Sequence, residues 1–196
     1  MNIAVFASHN GSDLQAIIDG CKGFMNTSVL AVISNNRDAF ALERARKHNI
    51  NSYHISEKIL PDPNDINNEI MRILEINKID VIFLAGYLKK LGQPIIQKYK
   101  GRIFNIHPAL LPKFGGKGMY GINVHKAVIE AGEIYSGITV HRVDEEYDNG
   151  EIVAQTKVDV LNNDTADSLA DRILEKEHTF LVEILSDIIN GKIKLE

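Results

Sequence analysis

An amide and an imidazole two residues apart form the pair in this sequence best suited to chemistry. Asn105 and His107 lie at the end of Arg102–Ile106, a run predicted to be a buried strand, so both side chains leave the same face. Together they offer the hydrogen-bond donors that stabilise a developing oxyanion. By itself the pattern also fits two polar groups that cap a buried strand. Pro108 and Pro112 restrict the loop that follows, which favours a rigidly held pair.

A carboxylate that could act on such an imidazole lies further along the chain. Asp148 belongs to the acidic turn Asp144–Gly150. A carboxylate beside an imidazole raises its pKa and fixes its orientation. An aspartate in a glycine-bearing turn is also a common turn former. His141, which precedes this turn, is expected to pack against it and orient it rather than to react.

Metal and covalent catalysis find little support in the sequence. None of the seven histidines shows the i, i+4 pairing that places two ligands on one helix face, and no Cys/His cluster has zinc spacing. No Gly-x-Ser-x-Gly motif is present. The single cysteine, Cys21, is predicted near the exposed end of the first helix. We therefore expect neither a metal ion nor a covalent nucleophile.

Two further segments carry groups that could contact a ligand. The polar turn Ser8–Asp13 follows the first strand, where backbone N–H groups and a helix N-terminus favour a phosphate. It matches neither of the glycine-rich phosphate motifs, and the charge of Asp13 opposes an anion unless its side chain points away or caps the helix. An anion site and a plain strand–helix connection both remain open. Glu177 lies close to the apolar face of the last helix, either facing a cleft or solvated.

Alternating strands and helices must position these groups. Apolar runs at Ile3–Ala7, Leu30–Ser34 and Val81–Ala85 alternate with segments of helical periodicity. This alternation predicts an α/β fold, a doubly wound, mostly parallel sheet with helices on both faces. Asp38 is expected to be the N-cap of a helix over Ala39–His48. Neighbouring strands are expected at Gly137–Val143 and Ile152–Val160, and a long helix from about Thr165 to Ile189.

Length and composition describe an ordinary globular protein. The 196 residues predict one domain, 1–196. A formal net charge of −4 argues against general nucleic-acid binding, which requires a basic surface. The first ten residues lack the features of a signal peptide. The most apolar stretch, Val81–Ala85, is much shorter than the roughly 18 residues of a membrane span. We expect a cytoplasmic protein.

Several motifs occur in an order that is specific to one family. They are Gly11-Ser12-Asp13-Leu14-Gln15, Leu84-Ala85-Gly86-Tyr87, Asn105-Ile106-His107-Pro108, Leu110-Leu111-Pro112-Lys113, Gly137-Ile138-Thr139-Val140-His141, and Asp148-Asn149-Gly150 with Gln155. Together they resemble the folate-dependent formyltransferases, and within them the phosphoribosylglycinamide formyltransferases of purine biosynthesis, over essentially the whole chain. The motifs are less specific for the individual member.

The resemblance implies a formyltransferase-like fold related to the Rossmann fold. It implies an enzyme that transfers a formyl group from 10-formyltetrahydrofolate, its co-substrate, to the amine of glycinamide ribonucleotide, without a metal. The positions that match the family's functional residues are Asn105, His107 and Asp148 for catalysis, Gly11, Ser12, Asp13 and Glu177 for the ribonucleotide, and Leu88, Lys89, Lys90 and Leu91 with Asn105 for the folate.

The resemblance also suggests how the catalytic positions act. We expect protonated His107 to donate to the oxyanion while the amide of Asn105 shares it. Asp148 is expected to keep His107 charged near neutral pH.

The sequence departs from the family pattern in three places. Asp13 stands where the family often has Asn. An arginine that some members place before an amphipathic helix is replaced near Pro63 or Asn64. The loop Phe114–Gly121 is longer than in many members, and its Lys117, with Lys113, is expected to supply positive charge to the phosphate.

Other functions remain as alternatives. The nearest are another folate-dependent formyltransferase, acting on a tRNA-bound or sugar-bound amine, and a formyltetrahydrofolate hydrolase. Such relatives carry an added domain, for which 196 residues leave no room. A non-catalytic folate- or nucleotide-binding module is less favoured, because binding alone does not require all three catalytic positions. The expected partners are small-molecule substrates, with no nucleic acid or membrane, and monomer and homodimer both remain open.

Overall fold

A single sheet flanked by helices organises the protein, as seen in a computed structural model that describes residues 1–196. The strands are β1 (Asn2–Phe6), β2 (Ser28–Ser34), β3 (Asn51–His54), β4 (Val81–Leu84), β5 (Ile103–His107), β6 (Tyr135–Arg142) and β7 (Ile152–Asp159). The helices are α1 (Ser12–Cys21), α2 (Phe40–Lys47), α3 (Pro63–Ile76), α4 (Gln93–Lys98), α5 (Ile122–Glu130) and α6 (Ala166–Ile189).

The strand order is β3-β2-β1-β4-β5-β6-β7. All pairings from β3 to β5 are parallel, whereas β6 is antiparallel to both β5 and β7. The strand order reverses between β1 and β4, which creates a crevice at the carboxyl edge where ligands of such sheets bind. The predicted doubly wound, mostly parallel α/β fold is confirmed.

Alternate residues of the central strands serve two separate cores. On one face, Ile3 and Val5 of β1 join a 29-residue cluster under α1, α2, α5 and α6. On the other, Ala4 and Phe6 join a 16-residue cluster under α3 and α4. Because both faces are buried, the central strands read as continuous apolar runs rather than alternating ones.

The structure corrects three details of the sequence reading. The sequence does not predict strand β3, because its four residues include few apolar side chains. In the structure this strand pairs with β2 alone. Asp38 does not cap α2; Ala39 occupies the N-cap without a side-chain bond, and the Asp38 N–H donates to Asn36 Oδ1 in a local turn. Cys21 is buried rather than exposed, since it packs into the larger core.

A threonine on β6 holds the loop that leaves β5. Thr139 Oγ1 donates to the carbonyl of Ala109 at 2.6 Å and accepts from the Leu111 N–H at 3.0 Å. Gln155 on β7 adds bonds from its Nε2 to Thr139 Oγ1 and to the carbonyl of Leu111, each 2.9 Å. These bonds satisfy buried backbone groups that the sharp exit of the chain from β5 leaves without sheet partners.

None of the helices is both long and apolar enough to cross a membrane.

The Thr139→Val variant tests this anchoring. Valine keeps the volume but leaves the Leu111 N–H and Gln155 without their acceptor, so we expect a loss of about 1–3 kcal/mol in the free energy of unfolding. Urea denaturation measures it. Thr156→Val on β7, whose hydroxyl makes no comparable bond, is the matched control and should stay within about 0.5 kcal/mol of wild type. Equal stability of the two variants would contradict the assigned role.

Candidate active site

A ligand-sized cavity opens at the carboxyl edge of the sheet. It has a volume of about 580 Å³ and is lined by the ends of β4 and β5, by the loop and turn that follow β5 and β6, and by α6. Asn105, His107 and Asp148 all line it. A cavity of this size, largely apolar with a few convergent polar groups, is typical of a small-molecule site.

The Asp148 carboxylate is the centre of the polar groups. Its Oδ1 accepts from Asn105 Nδ2 at 3.2 Å, and its Oδ2 accepts from the Gly116 N–H at 2.9 Å. His107 Nδ1 lies 3.6 Å from Oδ2, and His141 Nε2 lies 3.5 Å from Oδ1. The fold therefore brings together all three residues that sequence reasoning assigned to catalysis, across 43 residues of chain between Asn105 and Asp148.

Contacts of the turn with β6 hold Asp148 in this position. The backbone of Asp148 adopts a left-handed conformation, φ 53°, which aspartate tolerates better than most residues. A Cβ on Gly150 would lie 1.9 Å from the carbonyl oxygen of Arg142, so only glycine allows the turn to approach β6 this closely.

Asn105 is fixed in orientation by two acceptors. Its Nδ2 lies 3.0 Å from His141 Nε2 as well as 3.2 Å from Asp148 Oδ1. Rotating the amide by 180° would set its oxygen against the carboxylate, so the NH₂ group faces both partners. His141 then accepts at Nε2, while its Nδ1–H donates to the carbonyl of Arg142 at 2.8 Å. Both amide hydrogens of Asn105 are thus engaged within the protein.

His107 differs from the sequence expectation in its charge. Its Nε2–H donates to the carbonyl of Phe114 at 2.8 Å, which leaves Nδ1 facing Asp148. Burial lowers the pKa of His107 below 6.5, and this effect outweighs the opposing effects of Asp148 and of the Phe114 carbonyl. The free protein therefore holds His107 mainly neutral at pH 7, and Asp148 does not keep it protonated as the sequence suggested.

Asp148 itself is ionised. Burial alone would raise its pKa, but hydrogen bonds that stabilise the carboxylate, among them the one from the Gly116 N–H, outweigh burial and hold the pKa below the usual value. The site thus presents a carboxylate and a neutral imidazole, two proton acceptors side by side.

The remaining predicted binding residues divide between two surfaces. The segment Leu88–Leu91 lines the cavity, as do Asp13 and Glu177. Ser12 lines a neighbouring open groove of about 640 Å³, and Gly11 lines neither. Gly11 instead allows a close approach: with φ 70°, a Cβ there would lie 2.7 Å from that of Ala41.

Two carboxyl groups with little exposure to solvent line this cavity. Glu177, on α6, is 7% exposed, and Asp13, in the first turn of α1, has an Oδ1 that is buried without a hydrogen-bond partner. Burial raises the pKa of Asp13 to about 6, and burial together with the charge of Asp13 raises the pKa of Glu177 well above its usual value. Of the two possibilities for Glu177, the structure shows the one that faces the cleft.

Sequence reasoning missed one histidine of the cavity wall. His125 of α5 is 5% exposed, lines the cavity, and has no hydrogen-bond partner at Nδ1. Burial and the proximity of His107 lower its pKa. Its position in the first turns of the helix after a glycine-rich loop was the only signal in the sequence, and that signal does not separate it from a structural histidine.

The lysines of the long loop behave differently from one another. Lys117 lines the cavity, so its charge is available to a ligand there. Lys113 does not line the cavity and pairs instead with Glu133 at 2.7 Å. The expectation that Lys113 supplies charge to a phosphate is therefore not supported, because the loop turns its side chain outward.

Comparisons with known proteins agree on one family. A family model described as formyl transferase matches residues 1–185. The chain is 44% identical over 195 residues to the chloroplastic phosphoribosylglycinamide formyltransferase of Arabidopsis thaliana, covering 98% of this chain and 66% of that protein. It is 36% identical over 196 residues to the phosphoribosylglycinamide formyltransferase of Escherichia coli (strain K12), covering 100% of this chain and 90% of that protein.

Solved structures give the same result. Glycinamide ribonucleotide transformylase 1 from Symbiobacterium toebii superposes with a TM-score of 0.91 at 34% identity, covering 100% of this chain and 91% of that one. The chain spans 66% and 62% of the length of two chloroplastic relatives, but 90% of the bacterial one. The resemblance inferred from the motifs is confirmed.

The pKa of His107 provides a test of the site's electrostatics. We expect His107 to titrate below 6.5 in the free protein and lower still in Asp148→Asn, because the carboxylate is what opposes the effect of burial. NMR of the imidazole ring signals over a pH series measures both values. Glu145→Gln, an exposed change in the same turn, is the control. A His107 pKa above 6.5, or one that rises in Asp148→Asn, would contradict this description.

Proposed function

The chain belongs to the formyl transferase family, and we propose that it transfers the formyl group of 10-formyltetrahydrofolate to the amine of glycinamide ribonucleotide in purine biosynthesis. The observation that carries the proposal is the convergence of Asn105, His107 and Asp148 in one ligand-sized cavity. The names of the relatives support the choice of acceptor.

Formyl transfer requires a proton acceptor and an oxyanion donor at one carbon. The amine attacks the formyl carbon, a C–N bond forms, and the carbonyl oxygen becomes an oxyanion. The new ammonium must lose a proton, and the folate nitrogen must gain one as its bond to the carbon breaks. Holding both substrates in one cavity makes the attack effectively unimolecular, which can supply a large part of the rate enhancement.

His107 is suited to both proton-transfer roles. As a neutral imidazole facing Asp148, it can accept the amine's proton at Nδ1, directly or through water. Once protonated, it is stabilised by the Asp148 carboxylate and becomes a donor to the oxyanion and then to the leaving nitrogen. The bond from Nε2–H to the Phe114 carbonyl keeps the ring in place throughout.

Asn105 can donate a hydrogen bond to the oxyanion only after one of its present hydrogen bonds is broken. Its two amide hydrogens face His141 and Asp148 in the free protein. Proton transfer to His107 draws Asp148 toward the new cation, which frees one amide hydrogen of Asn105 for the oxyanion. The donor thus becomes available when the negative charge develops, which is the condition for selective stabilisation of the transition state.

The cavity wall suits a folate. Leu88 and Tyr87 present apolar surface. Lys90 brings positive charge, and Lys89 lies beside it in an exposed pair with Glu57 at 2.9 Å, which a ligand carboxylate can replace. Lys90 Nζ lies 5.6 Å from the ring centre of Tyr147, across the opening. We assign the segment Leu88–Leu91 to the pteridine and the glutamate tail, whose carboxylates pair with the lysines.

The ribonucleotide is assigned to the part of the cavity lined by Asp13 and Glu177. Asp13 belongs to the Gly11–Asp13 turn at the N-terminus of α1, and carboxyl groups are natural partners for ribose hydroxyls. Lys117 on the long loop offers charge to the phosphate. The amine of the substrate then points along the cavity toward His107.

An acceptor-dependent assay tests the proposal. Purified protein is mixed with 10-formyltetrahydrofolate and glycinamide ribonucleotide, and deformylation of the folate is followed by absorbance. We expect turnover that requires the ribonucleotide and that falls by about 10²–10³-fold in His107→Ala. His54→Ala on the edge strand β3 is the matched control and should retain wild-type activity.

Each of the other outcomes of this assay indicates a different function or a different catalytic residue. Deformylation without the ribonucleotide indicates a hydrolase. Folate binding without turnover indicates another amine acceptor or a non-catalytic binder. A folded His107→Ala protein that keeps activity within about threefold of wild type removes His107 from the chemistry.

A further inference from the structure

The two buried carboxyl groups at the ribonucleotide end of the cavity lack the partners that buried charges need. Glu177 is 7% exposed and Asp13 has a side chain 13% exposed, and Asp13 Oδ1 makes no hydrogen bond. They come from different helices, α1 and α6, which pack against each other. Acidic side chains this deeply buried are ordinarily paired with a cation.

No lysine or arginine forms an ion pair with either carboxyl group. The titratable and charged groups around the pair are His178 on α6 and Arg44 on α2, with His107, His125 and Lys117 on the shared cavity wall, and β2 has no titratable side chain. His178 Nε2 lies 3.6 Å from Asp13 Oδ1, beyond hydrogen-bond distance, and is itself buried without a partner. Arg44 donates to the Asn10 carbonyl at 2.9 Å and reaches Gln15 Oε1 at 3.5 Å.

A proton is therefore the remaining means of neutralising the pair. Burial lowers the pKa of His178, and the charge of Arg44 lowers it further, so His178 is not the group that holds the proton at pH 7. The raised pKa values of Asp13 and Glu177 agree with a proton on the carboxyl groups themselves. Two interacting carboxyl groups then titrate as one unit.

We propose that Asp13 and Glu177 hold one proton between them as part of the sugar-phosphate site, and that binding of a sugar phosphate is coupled to proton uptake by this pair. The ligand class follows from the chemistry. A protonated carboxyl donates to a ribose or phosphate oxygen, while an ionised one accepts from a ribose hydroxyl. This inference rests on the proposed function for placing the sugar phosphate at this end of the cavity.

The sign of the coupling follows from electrostatics. A phosphate arriving at the N-terminal turn of α1 adds negative charge beside a pair that already carries one charge. Nearby negative charge favours the protonated form of a carboxyl group. Binding should therefore require proton uptake above the pKa of Asp13, about 6, and affinity should fall as the pH rises through that value.

Asparagine at position 13 supplies the comparison. Asp13→Asn keeps the shape of the side chain but removes its titration and its charge. In this variant Glu177 should titrate at a lower pH, because the charge of Asp13 is one of the two causes that raise its pKa.

Calorimetry of ribose 5-phosphate and glycinamide ribonucleotide, in buffers of different ionisation enthalpy from pH 5.5 to 8.0, measures affinity and proton uptake together. The titration of the ligand phosphate itself is common to all variants and cancels in the comparison. We expect wild-type affinity to be about tenfold weaker than that of Asp13→Asn at pH 8.0 and within about threefold of it at pH 5.5. Proton uptake in excess of that of Asp13→Asn should appear only in proteins that keep both Asp13 and Glu177.

Two further proteins make the test decisive. Glu177→Gln also breaks the pair, so it is expected to lose the excess proton uptake. It replaces Asp13→Asn in the test if that variant does not fold. Asp19→Asn, an exposed change on the same helix that pairs with Lys22, should behave as wild type. Carboxyl-carbon NMR without ligand reads the titration directly, with Asp13 and Glu177 both above their usual range in wild type.

The results separate the two proposals. Equal pH profiles in wild type and Asp13→Asn, or an Asp13 that titrates near 4, overturn the shared proton. Absence of ligand binding in every variant overturns the coupling. Proton-coupled binding of ribose 5-phosphate in a protein without formyl transfer activity refutes the proposed function and leaves the shared proton standing.

Discussion

The Asp148 carboxylate is the contact on which the geometry of this site depends. It accepts from the side chain of Asn105 on β5 and from the backbone of Gly116 in the long loop, and it lies beside His107 and His141. One carboxylate thus ties a turn, a loop and two strands together. Because each of its oxygens serves two neighbours, any displacement of the turn alters the orientation of both polar residues on β5.

Several motif residues serve this geometry without meeting a ligand. Thr139 and Gln155 secure the loop that leaves β5, and Gly150 allows the turn that carries Asp148 to lie against β6. His141 fixes the amide of Asn105. The motif therefore combines the reacting groups with the side chains that position them, and substitution of the second kind alters activity through geometry rather than chemistry.

The ionisable groups in two parts of the cavity have pKa values shifted in opposite directions. Beside Asn105, burial lowers the pKa of His107 while surrounding contacts keep Asp148 ionised, which leaves two proton acceptors. In the other part, Asp13 and Glu177 are buried without a cation, and their pKa values are raised. Both effects come from the same desolvation, which disfavours whichever form is charged. Proton acceptors and proton donors thus occupy separate parts of one cavity.

The sequence by itself determined the alternation of strands and helices, the common face of Asn105 and His107, and the identity of the family, because periodicity and motif order are local properties of the chain. It did not determine that Asp148 reaches Asn105 across 43 residues, that His107 is held neutral, or that Glu177 faces the cavity. Those follow from how the elements pack, since burial and long-range proximity exist only in the folded chain. Strand β3 belongs with them: it forms only because β2 offers a free edge, and nothing within its four residues requires it.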